Sequence, residues 1–589
     1  MWRKRAVIIG GIFITMIGLL IGRLIEVQLI STESFTSHDV NLLEESVKQR
    51  SQEMVIDNGR GEIIDRSGEP LTSKNVPVLI LFPFLKNMDW DRTKVANIIG
   101  ITENKLSAAV NQAKEPFAYG KPQPLRLTDA QMKEINDLKI PGVFAVEKKY
   151  NASGSLAEQL IGITGENATL LKKRYPDKQL SSQTLVGLSG LEKSFDEFLL
   201  PEGESKLVYH VDAKGGPLFG INVKYVEPAN PFYPVNVKTT INHHLQQSME
   251  KLVDEQGIKN GGLVLLDIKT NSVLAIVSRP SINQKDPFNE KTSGIKNMML
   301  TQQIMGSVFK TVVAAAAIDH QLDDSSRMFD CNKKINGEPD LVYHHGMLNF
   351  SDSFGVSCNN TFGTLAKELK DINPDLLSQY AEKLSLTGTV GWEDTIYHLD
   401  HFQQFQDEEA GRVFLNEEEK KDDNYVALSG IGQHEVRATP LAVANMMSTI
   451  AKGGKKESVR VASAIQYKNG STLLDFDKEA LDGDRISPVT AMKLQKLLRG
   501  VVTNQNGTGR WFQELPYEVA GKSGTAETDH YIKGKQLHNK WFAGYFPYKN
   551  PKYALVTVNL GVYEDEGAVN PLFASAVKEI YDEDHPSKQ

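Results

Sequence analysis

Lys310 opens a run, Thr311-Val312-Val313-Ala314-Ala315-Ala316-Ala317-Ile318, that has no polar face. A helix apolar all round is buried on nearly every side, so the run predicts a central helix covered by other layers, with an unsolvated amine at its start. Ser307 lies three residues earlier, on the same helix face and within reach of that amine. Burial and the positive end of the helix dipole both disfavour the ammonium, which favours a neutral base beside the serine hydroxyl. The first turn of a helix leaves N–H groups without partners, so the N–H of Ser307 is a candidate donor to an oxyanion. Taken alone, the pair equally fits a capping serine followed by a snorkelling lysine.

Two more strings follow. Ser357-Cys358-Asn359, between Phe354-Gly355-Val356 and Thr361-Phe362-Gly363, reads as a Gly-flanked polar turn in apolar surroundings. Ser357 can bridge Lys310 and Lys522 or relay a proton, and Asn359 can hold a substrate amide. Turn preference alone explains the same residues. Lys522-Ser523-Gly524-Thr525 reads as part of a strand. Alternation places Ser523 and Thr525 on one face, where hydroxyls hold a carboxylate, while Gly524 lets an extended substrate lie against the strand. An edge strand protected by its lysine is the plain alternative. Together the strings supply a nucleophile, a base, a polar bridge and a cationic strand edge, which suits acyl transfer from a carboxylate-bearing amide.

With these motifs the chain resembles the class B, monofunctional penicillin-binding proteins, the D,D-transpeptidases. The resemblance extends to Arg60-Gly61-Glu62-Ile63-Ile64-Asp65-Arg66-Ser67-Gly68, to Gly187–Asp196, to Gly262–Asp267 with Ala275–Pro280, and to Gly430-Ile431-Gly432-Gln433 with Thr439-Pro440-Leu441. It implies an α/β fold, an antiparallel sheet sandwiched by helices, with an N-terminal mixed α+β pedestal domain. It also implies Ser307 as nucleophile, Lys310 as base and Ser357 and Lys522 as relay partners. Asn359, Ser523, Gly524 and Thr525 would bind substrate, and the N–H groups of Ser307 and Thr525 would form the oxyanion hole. The implied substrates are peptidoglycan stem peptides ending in D-Ala-D-Ala, with β-lactams as covalent inhibitors. The implied partner is a polytopic glycosyltransferase of the shape, elongation, division and sporulation family. Three residues depart from the family pattern: Met305 replaces a proline, His434 a glycine and Ser523 a threonine.

Arg3-Lys4-Arg5 precedes an uncharged stretch, Ala6 to Gly22, which Leu24-Ile25 extend past Arg23. This is read as one transmembrane anchor with its basic flank in the cytoplasm and the catalytic part outside. A cleaved signal peptide competes, but no small-x-small site follows the apolar run. The expected organisation is a stub and anchor over 1–30, a pedestal over 31–236, a transpeptidase domain over 237–580 and a frayed tail over 581–589. Pro-rich Glu227–Pro234 marks the main boundary.

The remaining features narrow the function. A net charge of −8 argues against a nucleic-acid partner. No Gly-rich phosphate loop is present, and His243-His244 and His344-His345 lack metal-ligand company, so neither cofactor nor metal is expected. The two cysteines, Cys331 and Cys358, read as buried thiols, with one bridge as the alternative. The charge run from Gln406 to Asn424 reads as solvated surface. Two other readings remain beside the transpeptidase: a β-lactam-hydrolysing or sensing acyltransferase with the same Ser-x-x-Lys chemistry, and a non-catalytic wall-synthesis scaffold. Water as acceptor would make the enzyme a carboxypeptidase.

Overall fold

The computed structural model describes residues 2–32, 42, 51–151, 156–178, 180–212, 224–289, 294–342 and 344–586. Helix α1, Trp2–Ile25, is followed by a wider turn over Glu26–Ile30. Its apolar side chains, among them Ile12, Phe13 and Leu20, face outward. At ~1.5 Å per residue it is about 36 Å long, enough for the ~30 Å of a bilayer core, and it serves as a membrane anchor.

The chain forms two compact units, and both are discontinuous. The smaller comprises Met1–Gly59, Lys74–Tyr150 and Glu202–Asn230. In it, Ser51–Asp57, Ser205–His210 and Lys224–Val226 form one antiparallel sheet, and Ser73–Leu81 lies between Phe117–Ala118 and Val143–Asn151 in a second. Val78 to Phe82 are wholly buried, and Phe82, Phe84 and Tyr209 cluster with ring centroids 4.4–6.2 Å apart.

The larger unit takes Arg60–Ser73, Asn151–Pro201 and Pro231–Gln589. This partition cuts across the contiguous 31–236 pedestal expected from sequence. The reason is physical: Ile63–Ile64 pair in parallel with Asn236–Thr239, and Leu160, Leu191, Phe195 and Leu199 belong to the larger core.

Along the larger unit run α2 (His243–Glu255), β1 (Gly261–Asp267), β2 (Ser272–Arg279), α3 (Lys310–Asp319), α4 (Phe350–Val356), α5 (Asn359–Ile372), α6 (Pro440–Ala451), α7 (Pro488–Thr503), β3 (Ala520–Ile532), β4 (Lys535–Phe546), β5 (Tyr553–Val562) and α8 (Asn570–Asp584). The five strands form one antiparallel sheet in the order β2-β1-β5-β4-β3. Its two faces bury different residues of each strand. Leu263 and Leu265 of β1 and Phe542 and Phe546 of β4 join Leu245, Met249, Leu572 and Phe573 from α2 and α8. Val264 and Leu266, with Trp541, Ala543 and Tyr545, join Val312 of α3 and Val443 and Met446 of α6. Period-two alternation on apolar strands thus gives a sheet covered by helices on both sides, as the resemblance implied. Every residue of α3 from Lys310 to Ile318 is buried.

Two surface expectations are corrected. Tyr581–Asp584 complete α8, and Asp584 accepts from Tyr517 Oη at 2.6 Å and Tyr553 Oη at 2.8 Å, so this part of the expected tail is fixed to the sheet; 587–589 lie outside the described residues. Within the acidic run, Glu408 accepts from the N–H groups of Val390 and Gly391, and burial pushes its carboxyl up to about 7. Glu419 is buried and accepts from Leu415 N at 2.9 Å. Those carboxylates satisfy loop backbone that has no ladder partner, a use that composition does not reveal.

Candidate active site

Ser307 sits in a tight turn, Gly306–Phe309, that runs directly into α3. Gly306 has φ +55°, and its N–H donates to Gly432 O at 2.9 Å. A Cβ on Gly306 would lie 2.4 Å from Thr525 O, and one on Gly432 would lie 1.8 Å from Gly306 O. Only glycine permits three backbones to approach so closely, and the approach sets Ser307 against the edge strand β3. Gly524 serves the same packing. A Cβ there would meet Met305 O at 2.7 Å and Val308 Cγ2 at 2.9 Å, so it backs onto the nucleophile turn, a reason different from the substrate contact expected of it. Trp541 Nε1, donating to Ile304 O at 3.0 Å, holds the approach to that turn.

Ser357-Cys358-Asn359 links two helices rather than lying in an open loop. Ser357 ends α4 in the left-handed region (φ +66°), and Asn359 begins α5. The kink aims the groups of this string at Lys310. Lys310 Nζ donates to Ser357 O at 2.6 Å, Ser357 Oγ at 3.1 Å and Asn359 Oδ1 at 2.6 Å; none of these bonds goes to Ser307. Lys522 Nζ donates to the same Ser357 Oγ at 2.9 Å and to Ser523 O at 3.1 Å. The Ser357 hydroxyl therefore bridges the two amines, as expected from sequence.

Both amines are wholly buried, and neither has a carboxylate partner among the described residues. Their surroundings are rings: Lys310 Nζ is 5.8 Å from the centre of Phe362 and Lys522 Nζ 5.8 Å from that of Phe354. Burial, and then the neighbouring Lys522, hold the Lys310 amine well below the usual lysine range. Burial brings Lys522 down to about 7. A neutral Lys310 keeps two N–H donors for Ser357 O and Asn359 Oδ1 and leaves its lone pair for a hydroxyl.

A cavity of about 230 Å³ brings the predicted residues together: Ser307, Ser357, Asn359, Ser523 and Thr525 all line it. On β3 the side chains of Ser523 and Thr525 face outward while Lys522, Gly524 and Ala526 are buried. Thr508 was missed from sequence. It lines the cavity and accepts from Ser523 Oγ at 2.7 Å, and its own N–H donates to Gly355 O at 3.1 Å. The signal for it is slight, a threonine between Gly507 and Gly509 shortly before β3.

The cysteine expectation is overturned. Cys331 and Cys358 form a disulfide, with their Cα atoms 5.7 Å apart and 27 residues apart in sequence. Both line the cavity. The bridge ties the Ser357-Cys358-Asn359 link to the segment at Cys331, whose N–H is held by Gly346 O at 2.8 Å. A separation of 27 gives no signal for pairing; folding of α4 and α5 does, by bringing the two Cβ atoms together.

Of the three departures, Met305 is buried and offers its carbonyl to the packing against Gly524. His434 takes φ +60° and stacks on Tyr425 with ring centroids 4.8 Å apart. Ser523 keeps the hydroxyl that a threonine would have supplied.

A second cluster joins the two N-terminal motifs. The Arg60 guanidinium donates to Glu192 Oε2 at 2.6 and 3.0 Å and to Asp196 Oδ1 at 2.9 Å, and all three residues are buried. Burial alone would lower the Arg60 pKa, but Glu192 and Asp196 hold it above its ordinary value. Asp196 also accepts from Gly187 N at 2.7 Å, Tyr175 Oη at 2.9 Å and Arg174 Nη1 at 3.0 Å.

The chain is similar to known proteins in sequence and in fold. Residues 261–578 match the model of the penicillin binding protein transpeptidase domain, and 55–231 that of the penicillin-binding protein dimerisation domain. The peptidoglycan D,D-transpeptidase MrdA of Haemophilus influenzae is 24% identical over 573 residues, covering 89% of this chain and 83% of its own. The peptidoglycan D,D-transpeptidase FtsI of Escherichia coli is 24% identical over 602 residues, covering 97% and 90%. Among solved structures, a chain from work titled "Structural coordination of polymerization and crosslinking by a peptidoglycan synthase complex" superposes with a TM-score of 0.66 at 21% identity, covering 99% of both chains, which is a likeness of fold.

Proposed function

Because this chain belongs to the penicillin-binding protein transpeptidase family, we propose that Ser307 carries the acyl group of a peptidoglycan stem peptide in a membrane-anchored serine D,D-transpeptidase. The observation that carries the reading is the pair of buried amines, Lys310 and Lys522, which have no carboxylate partner among the described residues and share the hydroxyl of Ser357, a residue that lines one cavity with Ser307. Buried amines kept from charging are suited to proton transfer near neutral pH.

In the first half-reaction Ser307 Oγ attacks the carbonyl carbon of the penultimate D-Ala, and its proton passes to Lys310 Nζ. The N–H groups of Ser307 and Thr525 hold the oxyanion, with Asn359 on the substrate amide and Ser523, Thr525 and Lys522 at the terminal carboxylate. Collapse breaks the C–N bond; the proton returns through the Ser357 hydroxyl to the leaving nitrogen, and D-Ala departs. An amine of a neighbouring strand then attacks the ester, gives its proton to the same relay and frees Ser307 Oγ. Gly524 sets the strand against the nucleophile turn and lets an extended substrate lie along it.

The anchor and the basic Arg3-Lys4-Arg5 flank support an extracytoplasmic catalytic unit. A chain of the same fold belongs to a peptidoglycan synthase complex that coordinates polymerisation and crosslinking, which supports a glycosyltransferase partner for this chain.

The test is mass spectrometry of the full chain in detergent after incubation with a penicillin, beside Ser307→Ala. The expected result is a mass increase on the Ser307 peptide that lasts for hours and is absent from the variant. Rapid turnover of the adduct would make the protein a β-lactamase, and no adduct on a folded chain would favour the scaffold.

A further inference from the structure

Ser523 stands where the family pattern commonly has threonine, and the exchange changes what holds the hydroxyl in place. The second branch at a threonine Cβ restricts χ1, whereas a serine hydroxyl swings among its rotamers unless a neighbour fixes it. Among the described residues one hydrogen bond fixes it: Ser523 Oγ donates to Thr508 Oγ1 at 2.7 Å.

Thr508 is itself placed by backbone. Gly507 N–H donates to Asn504 O at 2.9 Å, Gly509 N–H to Val501 O at 3.1 Å and Thr508 N–H to Gly355 O at 3.1 Å. A Cβ on Gly507 would lie 2.2 Å from Val501 O, so the loop is closed tightly on the end of α7 without help from the Thr508 side chain. Gly355 belongs to α4, two residues before Ser357. The loop is therefore docked on the helix that delivers the relay hydroxyl, while its threonine lines the cavity and meets Ser523. Thr508 Oγ1 makes no other hydrogen bond among the described residues, so its own proton is uncommitted.

The two hydroxyls can exchange roles, since each is donor and acceptor and its hydrogen rotates to suit. When a carboxylate arrives, the Ser523 hydrogen turns to it and Thr508 donates to Ser523 Oγ in return. The contact between the hydroxyls is kept, and a hydroxyl that accepts one bond while donating another is the stronger donor. From these features, and resting on the function proposed above, we infer that Thr508 is a positioning residue for carboxylate recognition. It holds Ser523 in the rotamer that meets the terminal carboxylate and backs the bond made there. Its effect passes through Ser523, with no contact of its own to the carboxylate.

The experiment uses the full chain in detergent and compares acylation by benzylpenicillin with acylation by its methyl ester, followed as the adduct mass on the Ser307 peptide. The ratio of the two rates reads carboxylate recognition. Thr508→Val is expected to lower that ratio by roughly fivefold, the scale of one hydrogen bond, and Thr508→Ser to keep it near the wild-type value. Thr508→Ala removes the same hydroxyl and is expected to match Thr508→Val, so the test stands if one of the two does not fold. Ser523→Ala should lower the ratio as well, and Thr508→Val added to it should lower it no further. In Ser523→Thr, where the side chain restricts its own rotamer, Thr508→Val should cost less than in wild type. A ratio unchanged by Thr508→Val, with both rates falling together, would overturn the inference and leave Thr508 as loop packing. Effects of Thr508→Val and Ser523→Ala that multiply would also overturn it, by placing Thr508 on the carboxylate directly. Absence of any adduct in wild type would instead remove the proposed function, and this role with it.

Discussion

Two buried cationic clusters in the larger unit are built in opposite ways. Arg60 is enclosed by Glu192 and Asp196, and its charge is reinforced. Lys310 and Lys522 are enclosed by hydroxyl, amide and aromatic groups, and their charge is discouraged. The comparison teaches what separates scaffold from chemistry here. Opposite charge locks a buried cation into one protonation state, whereas neutral dipoles leave it able to exchange a proton.

The sharpest way to break that contrast is Lys310→Met. It is expected to lower penicillin acylation by about 10²–10⁴-fold, the usual worth of a positioned base, while changing unfolding free energy by no more than about 1–3 kcal/mol. Stopped-flow acylation and chemical denaturation read the two quantities. Arg60→Met should do the reverse. Stranding Glu192 and Asp196 without their cation is expected to cost about 3–5 kcal/mol of stability, seen as an earlier denaturation midpoint, with residual folded protein still acylated. If both variants lost stability equally, the distinction would fail.

A pH profile sharpens the comparison further. At low substrate the acylation rate should rise on the acid side as Lys310 loses its proton, then fall as pH passes about 7 and Lys522 loses the charge that attracts the carboxylate. The two limbs belong to the coupled pair of amines. A carboxyl-methylated β-lactam should lack the alkaline fall, and a fall that persists with it would reassign that limb.

The disulfide gives a smaller expected effect. Closing a loop of 27 residues stabilises by about 3–4 kcal/mol on a chain-entropy estimate, and measured bridges often deliver less. Thermal unfolding with and without reductant should show a lower midpoint after reduction. An unchanged midpoint would mean that α4 and α5 hold the Ser357 link without it.

Much of the site was legible because its chemistry is written in short strings. Ser307 to Lys310 is local, and the apolar run after Lys310 announces its burial. Pairing of Ser357 with both lysines was legible only as a combination, since the three strings are far apart in the chain. What was not legible depends on distant packing. Cys331 meets Cys358 only when α4 and α5 are in place. Thr508 meets Ser523 only because its loop is bound to Gly355. Similarly, hydropathy showed Arg60–Ser73 and Asn151–Pro201 as ordinary short elements, with no sign that a parallel pairing with Asn236–Thr239 would take them from the smaller unit. Glu408 read as solvated charge because composition does not disclose that the loop at Val390 and Gly391 needs an acceptor.

The mutual approach of Gly306, Gly432 and Thr525 has an evolutionary consequence. The gap between nucleophile and strand edge is set by main-chain atoms in contact, with no side chain to trim or enlarge. Selection by an inhibitor therefore has little room to shift Ser307 itself. It can act on the rim, at residues such as Ser523, Thr508 and Glu527, whose side chains line the cavity without setting that gap. Drug pressure on such a protein would accumulate around an unaltered attacking atom, changing what is admitted to it and leaving the reaction in place.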